Sequence, residues 1–153
     1  MEITEEMLAA IPPGNVLRPV DEFGAFWQLA ENECVRLVVA TPMGQTSWEL
    51  SYASAAMKTA RWLAACEADL GPEHAPVATS TGMELGRATP KTIGVAHEEA
   101  GAMLLLSPGG YKTPGMPPRP GYLEGVRAVI DWAWRYGPPP QLGGQRSESA
   151  RSQ

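Results

Sequence analysis

Proline and glycine divide this chain into pieces before any other residue type matters. Fifteen prolines and sixteen glycines stand in 153 residues, well above average usage, so long irregular segments must connect the regular ones. Pro12-Pro13-Gly14, Gly71-Pro72, the run SPGGYKTPGMPPRPG from Ser107 to Gly121, and Pro138-Pro139-Pro140 all read as stops. The length suits one domain with a real core. We place that domain at residues 1–137 and read 138–153 as a disordered tail with nothing to bury.

Within the first piece, ITEEMLAAI (residues 3–11) predicts a short helix with Thr4 as N-cap and acids in the first turn. CVRLVVAT (34–41) and TSWELSY (46–52) then predict a hairpin around PMGQ. With Thr41 opposite Thr46, Val39 faces Trp48, Leu37 faces Leu50 and Val35 faces Tyr52, all on one side. Arg36, Ser47, Glu49 and Ser51 take the other side. AFWQLA (25–30) would add a third strand.

From about Ala53 the period changes. Tyr52, Ala56, Thr59, Leu63, Cys66 and Leu70 form one helical seam that Gly71 would end. The alanines on its other sides allow close approach of a second element. The segment 121–137 predicts the last helix, with Tyr122, Val126, Val129, Ile130 and Ala133 on one face. Residues 71–91 read mostly as loop. The expected fold is therefore α+β: a small three-stranded antiparallel meander packed by two main helices, with proline- and glycine-rich connectors.

Charge and cysteine usage narrow the function classes. A net charge of −5 argues against a general nucleic-acid binder, which needs a basic footprint. No apolar run approaches the roughly 18 to 20 residues of a membrane helix. The N-terminus, MEITEEMLAAIPPG, is acidic where a signal peptide is positive, so the cytoplasm is expected. Cys34 and Cys66 lack C-x-x-C spacing and read as buried thiols. The composition is in the style of a high-GC bacterial or phage gene.

The candidate chemistry centres on His97-Glu98-Glu99. The zinc-protease pattern H-E-x-x-H fails, because Gly101 stands where the second histidine belongs. The only other histidine, His74, is in a loop, and no metal or cofactor is expected. Residues 90–107 leave two readings open. One is a helix started by Thr89 and Pro90, with His97 sharing a face with Ile93, Ala100 and Leu104 and Glu98 about 100° away. The other is a hairpin of TIGVAH and AMLLLS turning through EEAG.

SPGGYKT departs from a phosphate loop, since Tyr111 separates Gly110 from Lys112 and Pro114 stands where the helix should begin. Pro114, Pro117 and Arg119 have P-x-x-P-x-R spacing, which we read as a stiff connector. Glu124, Arg127, Asp131 and Arg135 read as a solvated ladder on the last helix.

A short helix, three strands and an alanine-rich helix resemble, in order alone, a double-stranded-RNA-binding domain. That family grips phosphates with a basic patch at the start of the last helix. Here SAAMKTA and its neighbours supply only Lys58 and Arg61.

Five tryptophans and four tyrosines outnumber two phenylalanines. Aromatics with a polar handle suit places where one side is buried and the other wet. Trp132 lies about 120° from Val126, beside Gly125 and Tyr136, which suggests a second apolar edge. With Trp62, these residues form the expected partner-binding set. The function this favours is a non-catalytic binding or assembly protein, acting on a protein partner or on itself. Two alternatives stand beside it: a small hydrolase- or transferase-like enzyme using His97 or His74 with a glutamate such as Glu98, and a phage or virion assembly component.

Overall fold

The computed structural model describes residues 1–68, 70–106 and 118–142, and among them it contains five helices and no sheet. These are α1 (Glu5–Ala9), α2 (Val20–Ala40), α3 (Trp48–Leu63), α4 (Pro90–Leu106) and α5 (Tyr122–Ala133). Helix α3 packs against both α2 and α5, α4 packs on α5, and α1 packs on α2.

The expected meander is overturned. Residues 25–30 and 34–40 lie inside α2, and 48–52 open α3. Phe23, Trp27, Ala30 and Cys34 recur at spacings of four and three, and all are buried. That seam places two large aromatics in the core, whereas the hairpin face rested on Val35 and Val39, which stay in water. Short apolar runs fit either period, and here the helix begun at Asp21 and Glu22 carries through. Thr41 closes α2, its hydroxyl donating to the Leu37 carbonyl at 2.6 Å. Ser47 caps α3, its hydroxyl accepting from the Leu50 N–H at 3.0 Å. The likeness in element order to RNA-binding domains falls with the sheet.

Other expectations hold. Thr4 caps α1, accepting from the Met7 N–H at 3.2 Å. Thr89 and Thr92 cap α4 reciprocally: the Thr92 N–H donates to the Thr89 hydroxyl at 3.1 Å, and the Thr89 N–H to the Thr92 hydroxyl at 2.8 Å. Pro90 takes the first helical position, so residues 90–106 are helix and the hairpin reading is excluded.

The stop of α3 is not the Gly71 that was expected, and α5 ends on a residue other than glycine as well. Ala65 adopts a left-handed φ of 53°, while the Cys66 N–H reaches the Arg61 carbonyl at 2.9 Å and the Ala65 N–H reaches that of Trp62 at 3.1 Å. This is a Schellman stop built on alanine. Arg135, with φ 66°, ends α5 the same way, and the Tyr136 N–H donates to the Asp131 carbonyl at 2.7 Å.

Buried Asn15 ties the pieces together. Its side-chain amide donates to the carbonyls of Leu63 at 3.0 Å and Ala88 at 2.9 Å, and its backbone carbonyl accepts from the Trp134 indole at 2.9 Å. Residues 107–117, which carry the phosphate-loop look-alike and Pro114 and Pro117, lie outside the described residues, as do 143–153. In the segment expected to have nothing to bury, Leu142 is buried.

Candidate functional site

The proposed aromatic edge is interior. Trp132 is 2% exposed, with its ring 4.7 Å from that of Phe26 and stacked on Phe23 at 6.2 Å. Helix α2 thus covers the side of α5 that was expected to meet a partner. Gly125 is where α5 crosses α3: a Cβ there would stand 2.8 Å from the Tyr52 carbonyl and 2.9 Å from the Ala55 Cβ. Trp62 is buried, and its indole donates to the Gly86 carbonyl at 2.8 Å. Of the four residues, only Tyr136 is on the surface, 79% exposed.

His97 has an acidic partner, but not a glutamate. Its Nε2 lies 2.7 Å from Asp131 Oδ1 on α5. Glu98 is exposed, and Glu99 turns to accept the Ser80 N–H at 3.0 Å. The ladder on α5 is therefore not solvated throughout. Asp131 meets α4 through His97, and Arg127 packs under Gly101. No group of three metal-ligating side chains occurs among the described residues.

His74 belongs to a different place, a cavity of about 230 Å³ at the C-terminal end of α3. Lys58, Arg61 and Trp62 of α3 and Tyr122 of α5 form its wall with His74. The wall is braced from behind. Glu31 on α2 is only 2% exposed and accepts from Arg61 Nε at 2.6 Å and Nη2 at 2.7 Å. The Trp27 indole donates to the same carboxylate at 3.2 Å. Such bidentate pairing fixes the guanidinium plane.

Tyr122 is fixed too, its hydroxyl donating to the Pro76 carbonyl at 2.7 Å. Lys58 Nζ and Arg119 Cζ lie 5.6 and 4.4 Å from the Tyr122 ring centroid. The Cys34 thiol feels this neighbourhood. Burial first, and then the Glu31 carboxylate, push its pKa up, against opposing pulls from Lys58 and Arg61.

Sequence reasoning missed Glu31, Arg61 and Asp131 as paired residues. Once Trp27 is on a buried helical seam, Glu31, four residues on, must face inward and needs a cation. That signal was hidden by the strand reading of α2.

A second feature lies at the far end of α2. Val38 is four residues beyond buried Cys34 on the same seam, yet it is 57% exposed, with Val35 at 58% and Val39 at 82% beside it. Met43 is fully exposed just past the helix. Val38 thus stands at the edge of the core-facing stripe, with Val35 and Val39 further round the helix, while Leu37 still packs against the core. No described helix is long and apolar enough to cross a membrane. Compared with protein-family models, curated proteins and solved structures, the chain matches none.

Proposed function

We propose that this chain is a non-catalytic assembly module, acting in the cytoplasm, that associates with a second copy of itself through the C-terminal end of α2. The observation that carries this is the cluster of exposed valines, Val35, Val38 and Val39, at the end of the helix whose core-facing seam is buried further up. A contiguous apolar surface of this kind marks an interaction site.

A second copy suits it on charge grounds. From residue 33 to residue 45 the only charged side chains are Glu33 and Arg36, which pair with each other. Two such ends meet without repulsion, although the whole chain carries −5. A two-fold contact of one helix end against its copy closes at a dimer. In this reading the partner face is aliphatic, and the aromatic edge expected from Trp132 has no part in it.

The test is solution mass by light scattering across concentration, for wild type and Val38→Lys. A wild-type dimer with a folded, monomeric Val38→Lys variant supports the reading. A monomeric wild type at about 100 µM, where a micromolar contact would be populated, overturns it. A concentration-dependent series beyond the dimer supports the virion-type assembly reading instead.

A second reading, a small enzyme, draws on the His97–Asp131 pair, since a carboxylate that orients an imidazole is part of general-base sites. No described residue places a nucleophile on that histidine, so its role in this proposal is to tie α4 to α5.

A further inference from the structure

We infer that Met43 is an oxidation site, and that a peroxide acting on its sulfur switches off the association of α2 ends. This rests on the assembly reading and deepens it by naming what regulates that contact.

The chain has seven methionines, and the structure grades their access to solvent. Met7, Met57 and Met103 pack against the core and are half-buried. Met1 is 42% exposed and Met83 68%, whereas Met43 is fully exposed. Met116 lies outside the described residues. Oxidation of a thioether follows access to its sulfur, so Met43 is the most open of the described targets.

Its position gives the reaction a consequence. Met43 stands two residues past Thr41, which closes α2, and four past the exposed Val39. Residues 42–45 form a tight turn there. The Gln45 N–H donates to the Pro42 carbonyl at 3.0 Å, and Gly44 takes a left-handed φ of 81° that suits a residue without a Cβ. The turn keeps the thioether at the same end of α2 as Val35, Val38 and Val39. No charged residue stands between Arg36 and Glu49 in the sequence. A two-fold contact of these ends therefore brings neutral, mostly apolar surface against its copy.

The chemistry is a two-electron oxygen transfer. A lone pair on Met43 Sδ attacks one peroxide oxygen, the O–O bond breaks, and the other oxygen leaves as water once protonated. The sulfur is oxidised to a sulfoxide and the peroxide is reduced. An apolar, flexible side chain thereby becomes a polar one whose oxygen needs a hydrogen-bond donor. Buried in an apolar contact, that oxygen forfeits its hydration. A two-fold interface suffers the change twice, so association should weaken at least about tenfold. The coupling also runs the other way: a second copy seated on the valines shields Met43 from the oxidant.

The test treats the full chain with hydrogen peroxide at protein concentrations below and above its dimer Kd. Peptide mass spectrometry follows the Met43 and Met83 sulfoxides, and light scattering follows the mass. Met43 should oxidise several-fold more slowly in the concentrated sample, while Met83 keeps one rate. Chain converted at Met43 should dimerise at least about tenfold more weakly. Met43→Leu, close in volume, should dimerise as wild type does and keep its mass after the same treatment, although Met1 and Met83 are oxidised.

A dimer that persists with Met43 fully converted overturns the inference. So does equal Met43 oxidation at both concentrations, or a Met43→Leu dimer that dissociates just as readily under peroxide. A wild type that is monomeric before any peroxide is added overturns the assembly reading, and this inference with it. A dimer indifferent to Met43 oxidation overturns this inference alone.

Discussion

Glu31 on α2 and Arg61 on α3 are joined by two hydrogen bonds, 2.6 Å from Nε and 2.7 Å from Nη2, with the Trp27 indole as a third donor to the same carboxylate. The pair crosses from the interior, where Glu31 is buried, to the cavity wall, where Arg61 reaches partial exposure. A buried ion pair is a poor source of net stability but is costly to break from one side.

The first prediction follows from that asymmetry. Glu31→Met or Arg61→Met alone should destabilise the chain by about 3 kcal/mol, because each leaves a desolvated partner. The double variant Glu31→Met with Arg61→Met should cost clearly less than the sum of the single changes. Urea unfolding of the four members of this cycle measures the coupling.

Trp132 gives a second. As a core residue stacked on Phe23 and packed at a tilt against Phe26, its replacement by alanine should cost about 3–5 kcal/mol. Trp132→Phe should cost much less. The buried indole N–H has no hydrogen-bond partner, so removing it relieves a desolvation penalty of about 1–3 kcal/mol that offsets part of the lost packing. Thermal unfolding of the two variants should rank them in that order. A Trp132→Ala protein that stays fully folded but becomes monomeric would place this residue at an interface instead of in the core.

The two helix stops provide a third. Ala65 and Arg135 sit at left-handed φ values of 53° and 66°, where a Cβ is strained. Ala65→Gly and Arg135→Gly should each stabilise by up to about 1 kcal/mol, reduced somewhat by the greater freedom of glycine in the unfolded chain. The shift in urea midpoint measures both.

Cys34 gives a fourth, with a defined sign. Its pKa is raised above the ordinary 9.0, mainly by burial and then by Glu31. A raised acid pKa means the folded state disfavours the thiolate. The stability this contributes is present below pH 9 and is lost as pH rises through the higher folded value. Iodoacetamide should therefore label Cys34 far more slowly than it labels an unfolded thiol at pH 8. Mass spectrometry of the Cys66→Ala protein, native and in urea, compares the two rates on one thiol.

The sequence was legible where a cap or a seam had no competitor. Thr4 was read correctly because its capping chemistry is local, and the helix started by Thr89 and Pro90 was one of the two readings left open. Tyr52, Ala56, Thr59 and Leu63 of the expected seam are helical and buried, whereas Cys66 and Leu70, expected to continue it, lie beyond the end of α3. The alanines were read as allowing close approach of a second element, which α5 makes at Gly125, although Gly125 itself was expected at a partner contact. Helix α2 was misread because Val35, Val38 and Val39 have strand propensity and sit where packing barely weighs on them. Its true character was set upstream, by Phe23 and Trp27. Nor was the cavity legible. Lys58, His74 and Tyr122 are brought together only by the path of a loop that carries no period.

Asn15 bonds to partners 48, 73 and 119 positions further along the chain. A ribosome adding about 5–20 residues per second therefore releases α2 many seconds before α5 exists to receive it. During that interval Phe23, Phe26 and Trp27 have no Trp132 to rest on, and the exposed valines lie on the same helix. The nascent chain thus leaves these aromatics without their α5 partner until its last helix emerges. This makes the first half of the molecule a client for whatever shields unfinished proteins in its cell.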